Sequence, residues 1–133
     1  MLEPFVLEKT KTSPSAHFDQ QQGIFKVGGR SIVEDPNGFY MPIYNWLAEY
    51  VKNPNPETLF EFDLEYFNSS SARQVMKIIM VLEEIEKTGN KVKVLWQYEE
   101  GDEMSQERGA EIKLVSKLDF EIREYPSDSE IDF

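Results

Sequence analysis

The sequence predicts an α/β fold, a single-domain two-layer sandwich whose mixed β-sheet carries its helices mainly on one face. Three observations lead there. From residue 58 onward extended and helical patterns alternate, and strand–helix–strand order sets parallel strands side by side through right-handed crossovers. The strand patterns alternate apolar with charged residues, whereas parallel strands covered on both faces run apolar almost throughout, so one face of this sheet meets water. A chain of 133 residues with 40% hydrophobic residues is long enough for one well-buried core.

Each element has its own justification. "FVLEK" (Phe5–Lys9) and "HFD" (His17–Asp19) are short strands separated by the loop "TKTSPS". "GIFKVGG" (Gly23–Gly29) is a third, joined to the second through "QQQG" as a hairpin. "EDPNGFY" supplies turn chemistry before "MPIYNWLAEYVKN", where Phe39, Ile43, Trp46, Leu47 and Tyr50 follow helical spacing. Pro42 is tolerated in a first turn, which places the helix start near Tyr40. "NPNPE" ends it. "TLFEFDLEYF" (Thr58–Phe67) points Phe60, Phe62, Leu64 and Tyr66 one way and Glu61, Asp63 and Glu65 the other. The next helix begins near Ser71, buries Val75, Ile78, Ile79, Leu82 and Ile85, and stops at Gly89. "KVKVLWQYEE" sets Val92, Val94, Trp96 and Tyr98 against Lys91, Lys93 and Gln97. A weaker helix lies within Asp102–Ser116, interrupted by Gly109, and "LDFEIRE" is the last strand. The folded unit is expected over residues 1–125, and "PSDSEIDF" (126–133) reads as an acidic flexible tail.

Charge and composition exclude several functions. A net charge of −11 repels phosphate backbones and anionic membrane surfaces, so neither nucleic acid nor a membrane is an expected partner. With no cysteine there is no disulfide framework, thiolate metal site or cysteine nucleophile. The N-terminus lacks the layout of a signal peptide, and the expected compartment is the cytoplasm. Glu99, Glu100, Asp102 and Glu103 lack the ligand spacing of a calcium loop, so no metal site is expected. His17, the sole histidine, reads as structural, and no glycine-flanked nucleophile accompanies it. Gly28-Gly29 lacks the third glycine of a dinucleotide loop. No cofactor and no enzymatic activity are expected. Trp46 and Trp96 lie on apolar stripes and belong to the core, whereas Tyr40 and Tyr44 fall off their helix's main stripe and are candidates for a partner interface.

The seam "LEYFNSSSAR" (Leu64–Arg73) carries more information. A strand ends there and a helix begins, and the sequence spends Asn68, Ser69, Ser70 and Ser71 where a single cap would do. A cap accepting from an unpartnered N–H of the first turn explains one of these side chains. The remaining hydroxyls are poor helix formers. The helix N-terminus also favours an anion, and Arg73 stands close by as a cation. Two readings follow: a plain cap, or a site that receives phosphate as a ligand or as a covalent modification.

The seam resembles the "EYxNTSSxK" signature of the SiaC family of bacterial regulatory phosphoproteins. "GGRSIVEDPNGFYMPIYNWLAEYV" is similar to that family's glycine–x–serine–x–x–glutamate segment, and "VKVLWQYEEGDEMSQERGAEI" to its tryptophan–aromatic–acidic segment. The three fall in family order from about Pro4 to Ile122. The resemblance implies a fold similar to anti-sigma-factor antagonist domains and a partner-switching role. It implies a protein kinase that phosphorylates Ser69, a metal-dependent Ser/Thr protein phosphatase that reverses this, and an output signalling enzyme such as a diguanylate cyclase bound by the unmodified form. By position, Asn68, Ser70, Ser71 and Arg73 surround the modified residue, and Tyr40 and Tyr44 join them as partner-binding candidates. Two positions depart from the pattern: Ser69 stands for threonine, and Arg30 stands where an acidic residue is frequent. The alternative is a small ligand-binding domain or enzyme that holds a phosphorylated metabolite near Ser69–Ser71.

Overall fold

The computed structural model describes residues 1–127; the expected tail falls mostly on 128–133, outside the described residues. Six strands form one sheet: β1 (Phe5–Leu7), β2 (Ser15–Asp19), β3 (Ile24–Ser31), β4 (Glu57–Phe67), β5 (Lys91–Glu99) and β6 (Asp119–Tyr125). Their spatial order is their chain order. β1, β2 and β3 pair antiparallel, and β3 to β6 pair parallel. Three helices, α1 (Pro36–Lys52), α2 (Ser69–Lys87) and α3 (Glu103–Val115), make the crossovers between the parallel strands. Crossovers of one hand that always step in the same direction leave their helices on the same face, which gives the expected two-layer mixed sheet.

The alternation decides which face is covered. Phe25, Val27, Phe60, Phe62, Leu64, Val94 and Trp96 point into the helices and are 5% exposed or less. The opposite face carries charge: Lys26 meets Glu61 at 3.7 Å and Lys93 meets Glu121 at 2.9 Å. Trp96 is fully buried, and Trp46 is half-buried against Phe18, Phe25 and Tyr50. His17 lies on β2, exposed on the open face. Among the described residues no helix is long and apolar enough to cross a membrane.

Three expectations are corrected. α1 begins at Pro36, one turn before Tyr40, because Asp35 caps it by accepting from the Gly38 N–H at 3.2 Å. Pro42 is therefore inside the helix, on its exposed side. Tyr66 does not follow Leu64 inward. Pairing of β3 with β4 passes from Gly29–Leu64 to Ser31–Phe67, so β4 holds one extra residue there. A bulge of this kind reverses side-chain parity: Tyr66 is 54% exposed and Phe67 is 3% exposed. Finally, α2 starts at Ser69 rather than near Ser71, since Asn68 and not a serine is its cap.

Candidate functional site

The C-terminal ends of β3, β4 and β5 meet the start of α2, of α3 and the first turns of α1. Asn68 leaves β4 in extended conformation, and its Oδ1 accepts from the Ser71 N–H at 3.0 Å. Its own carbonyl takes the first helical bond, from Ala72 at 2.9 Å. Ser69, Ser70 and Ser71 are thus the first three residues of α2.

They do not share one environment. Ser71 is fully buried: its hydroxyl donates to the Ser31 carbonyl at 2.7 Å and accepts from the Ser31 hydroxyl at 2.8 Å. Each hydroxyl has one proton, so the third contact, 2.7 Å between Ser31 Oγ and Tyr40 Oη, is donated by Tyr40. This chain runs from α1 through β3 to α2 and leaves none of its hydroxyls unpaired. Burial raises the Tyr40 pKa, against a smaller opposing effect of the Ser31 bond, and keeps the phenol a neutral donor. Ser69 and Ser70 instead stand exposed. The serine run thus divides into one internal tether and two hydroxyls open to solvent.

The same device recurs one crossover later. Asp102 caps α3 by accepting from the Ser105 N–H at 3.0 Å, and the buried Ser105 hydroxyl donates to the Leu64 carbonyl at 3.0 Å. That carbonyl lies beyond the last β4–β5 pair, Phe62–Trp96, and needs a partner. In both helices an Asx cap and a serine three residues later tie the first turn to the strand adjacent to the one that leads into the helix, β3 for α2 and β4 for α3.

Of the residues expected to face a partner, Tyr40 and Ser71 do not: both are sealed in the hydroxyl chain because α1 packs against the sheet and α2 together, which buries a broader face than one apolar stripe. Tyr44 is half-buried, and its single hydroxyl proton is shared between the Gln74 carbonyl, at 2.9 Å, and Gln74 Oε1. Burial, reinforced by Tyr40 alongside, raises its pKa well above the phenol range. Asn68, Ser70 and Arg73 are exposed beside Ser69.

The sequence draws no attention to Ser31 or Ser105, two serines at ends of elements, although Ser31 sits within the "GGRSIVE" segment. It also left Arg30 and Tyr66 outside the candidate set. Arg30 lies over the Tyr66 ring, 5.1 Å from its centre, and meets Glu65 at 3.7 Å. With Glu99, Asp102 and Met104 they line a cleft of about 490 Å³. Among the described residues no group of histidine, aspartate and glutamate has the geometry of a metal site.

The chain that builds this site matches a family model described as SiaC family regulatory phosphoprotein, over residues 7–125. The chain belongs to the SiaC family. A curated relative, an uncharacterised protein of Pseudomonas aeruginosa (strain UCBPP-PA14), is 25% identical over 114 residues, covering 86% of this chain and 90% of its own. Solved SiaC of Pseudomonas aeruginosa superposes with a TM-score of 0.84 at 22% identity, over 93% of this chain and 100% of that one. A chain in the crystal structure of the diguanylate cyclase SiaD in complex with its activator SiaC, also from Pseudomonas aeruginosa, gives 0.83 at 23% identity, over 91% and 99%. The likeness establishes the shared fold; the family match establishes a regulatory phosphoprotein.

Proposed function

We propose that this SiaC-family chain is a partner switch controlled by reversible phosphorylation of Ser69, and that its unmodified form binds an output signalling enzyme, a diguanylate cyclase being the candidate that the related complex suggests. The chain is the substrate of a kinase and of a metal-dependent phosphatase, acts in the cytoplasm where ATP is at hand, and catalyses no reaction itself. The observation that carries this is the contrast within the serine run: Ser69 Oγ is open at the helix start while Ser71 is held inside. Phosphorylation forms a bond from Ser69 Oγ to the γ-phosphorus of ATP, releases ADP, and gives up the hydroxyl proton. Reversal is attack by water on that phosphorus, with the serine oxygen leaving as the restored hydroxyl.

A neutral Ser69 can be covered by another protein at little cost. A phosphoserine brings a charge of about −1.5 to −2, and burying it without cations costs several kcal/mol, enough to abolish micromolar binding. No rearrangement of the fold is required. Incubation of the chain with lysate of its source cell and ATP is expected to add the mass of one phosphate, absent in Ser69→Ala. Ser69→Ala is expected to retain a bound partner that Ser69→Asp loses. Thermal stabilisation by a phosphorylated metabolite that survives Ser69→Ala, with no covalent mass change, would replace this function with metabolite binding.

A further inference from the structure

Most of α2 runs against the charge balance of the chain. Acidic residues outnumber basic ones 25 to 14, and a helix dipole favours carboxylates near its N-terminus. Yet residues 69–82 hold no aspartate or glutamate, and Arg73 and Lys77 both stand exposed there. Neither stands in the last turn, where the dipole favours a cation, so the helix dipole does not account for them. Among the described residues Arg73 forms no ion pair.

Arg73 rims a groove of about 260 Å³ between α2 and α3, whose walls are Ala72, Met76, Ile112 and Val115, with Arg108 and Glu111 on the α3 side. Among the described residues the ion pair of Arg108 is a long one, 3.8 Å to Glu111 on its own helix. Exposed apolar surface continues along both helices, with Met80 at 59%, Val115 at 63% and Leu114 at 86% exposure. On an acidic molecule, this is an apolar trough bordered by two guanidinium groups and a single carboxylate, Glu111.

We propose that the α2–α3 groove receives an acidic amphipathic segment of the output protein, its aliphatic side chains on Met76, Ile112 and Val115 and its carboxylates on Arg73 and Arg108. A guanidinium fork matches a carboxylate in two parallel hydrogen bonds, which makes arginine suited to this work. The proposal rests on the partner-switch function above and supplies its regulation. Ser69 and Arg73 are four residues apart on one helix and therefore neighbours across a turn. A phosphate on Ser69 competes for Arg73 and repels the incoming carboxylates, so one covalent change withdraws a cation from the groove and opposes its ligand.

The test is photo-crosslinking in the source cell with the full chain carrying Ser69→Ala. The photoreactive residue p-benzoylphenylalanine replaces Val115 in the groove, Met104 in the neighbouring cleft, or Val6 on the open sheet face, one at a time. The expected product is a crosslink from Val115 to a peptide that combines carboxylates with aliphatic residues at helical spacing. Its yield is expected to fall at least tenfold in Arg73→Glu/Arg108→Glu and in Ser69→Asp, and to persist in Arg73→Lys/Arg108→Lys, with unchanged circular dichroism in each. Crosslinks from Met104 alone would overturn the groove and leave the switch standing. A basic peptide, or a second copy of the chain, captured at Val115 would do the same. Absence of any crosslink that depends on the state of Ser69 would overturn both.

Discussion

A single buried hydroxyl illustrates how the site is held. Ser31 accepts from Tyr40 and donates to Ser71, so Ser31→Ala strands the Tyr40 hydroxyl in the core and takes one bond from Ser71. The expected loss is about 1–3 kcal/mol of unfolding free energy, read from urea titration. Gly109 offers a second test. A Cβ there would fall 2.5 Å from Trp96 Cδ1, so Gly109→Ala is expected to destabilise by about 1–3 kcal/mol although alanine is the better helix former. The sequence marks Gly109 only as an interruption; the close ring that requires it comes from a strand thirteen positions earlier, and no local pattern reveals it. The seam behaves differently. Asn68 and Ser69 are legible because capping depends on neighbours in sequence, whereas the division of labour between Ser69 and Ser71 depends on Ser31, forty positions upstream of its partner.

At the level of elements, alternation located β4 and β5 and helical spacing α1 and α2, since both periods are intrinsic to the backbone. The errors lie where a tertiary feature shifts the frame. In β4 an extra residue exchanges Tyr66 and Phe67, and in α1 the asparagine-, aspartate- and proline-rich turn begins the helix before the proline that was expected to mark its first turn. Tyr40 was misassigned for a related reason, because the stripe that α1 buries is Tyr40, Ile43, Leu47 and Tyr50, which shares its last three residues with the expected one and takes in Tyr40 where Phe39 was expected. The cap of α2 yields a prediction at this scale. Asn68→Ala removes the acceptor for the Ser71 N–H and is expected to cost about 1 kcal/mol. Amide exchange should rise first in residues 69–72, while the apolar middle of the helix keeps its protection.

For the molecule as a whole, the open face of the sheet sets the response to pH. Asp63 is half-buried there and accepts from the Tyr125 hydroxyl at 2.8 Å. Burial raises its pKa, partly countered by that bond and reinforced by Glu65 and Glu99. A carboxyl with a raised native pKa favours folding in its protonated form, and that contribution is lost as the pH climbs through the raised value. Asp63→Asn keeps an acceptor for Tyr125 and removes the charge. Its melting temperature should therefore match the parent in acid, pull ahead as the pH rises past the ordinary carboxylate range, and hold a constant lead above the native pKa. Glu121 works in the opposite sense: hydrogen bonds from Lys93 and then Arg123 lower its pKa, so its contribution is present at neutral pH and fades as acid reaches that lowered value. A lead for Asp63→Asn that is the same at all pH values would refute the assignment. The strand order has a further consequence for the nascent chain. Because β1 through β6 lie side by side in the order in which they are made, each new strand leaving the ribosome finds its template edge already laid down, and none must insert between two strands formed before it.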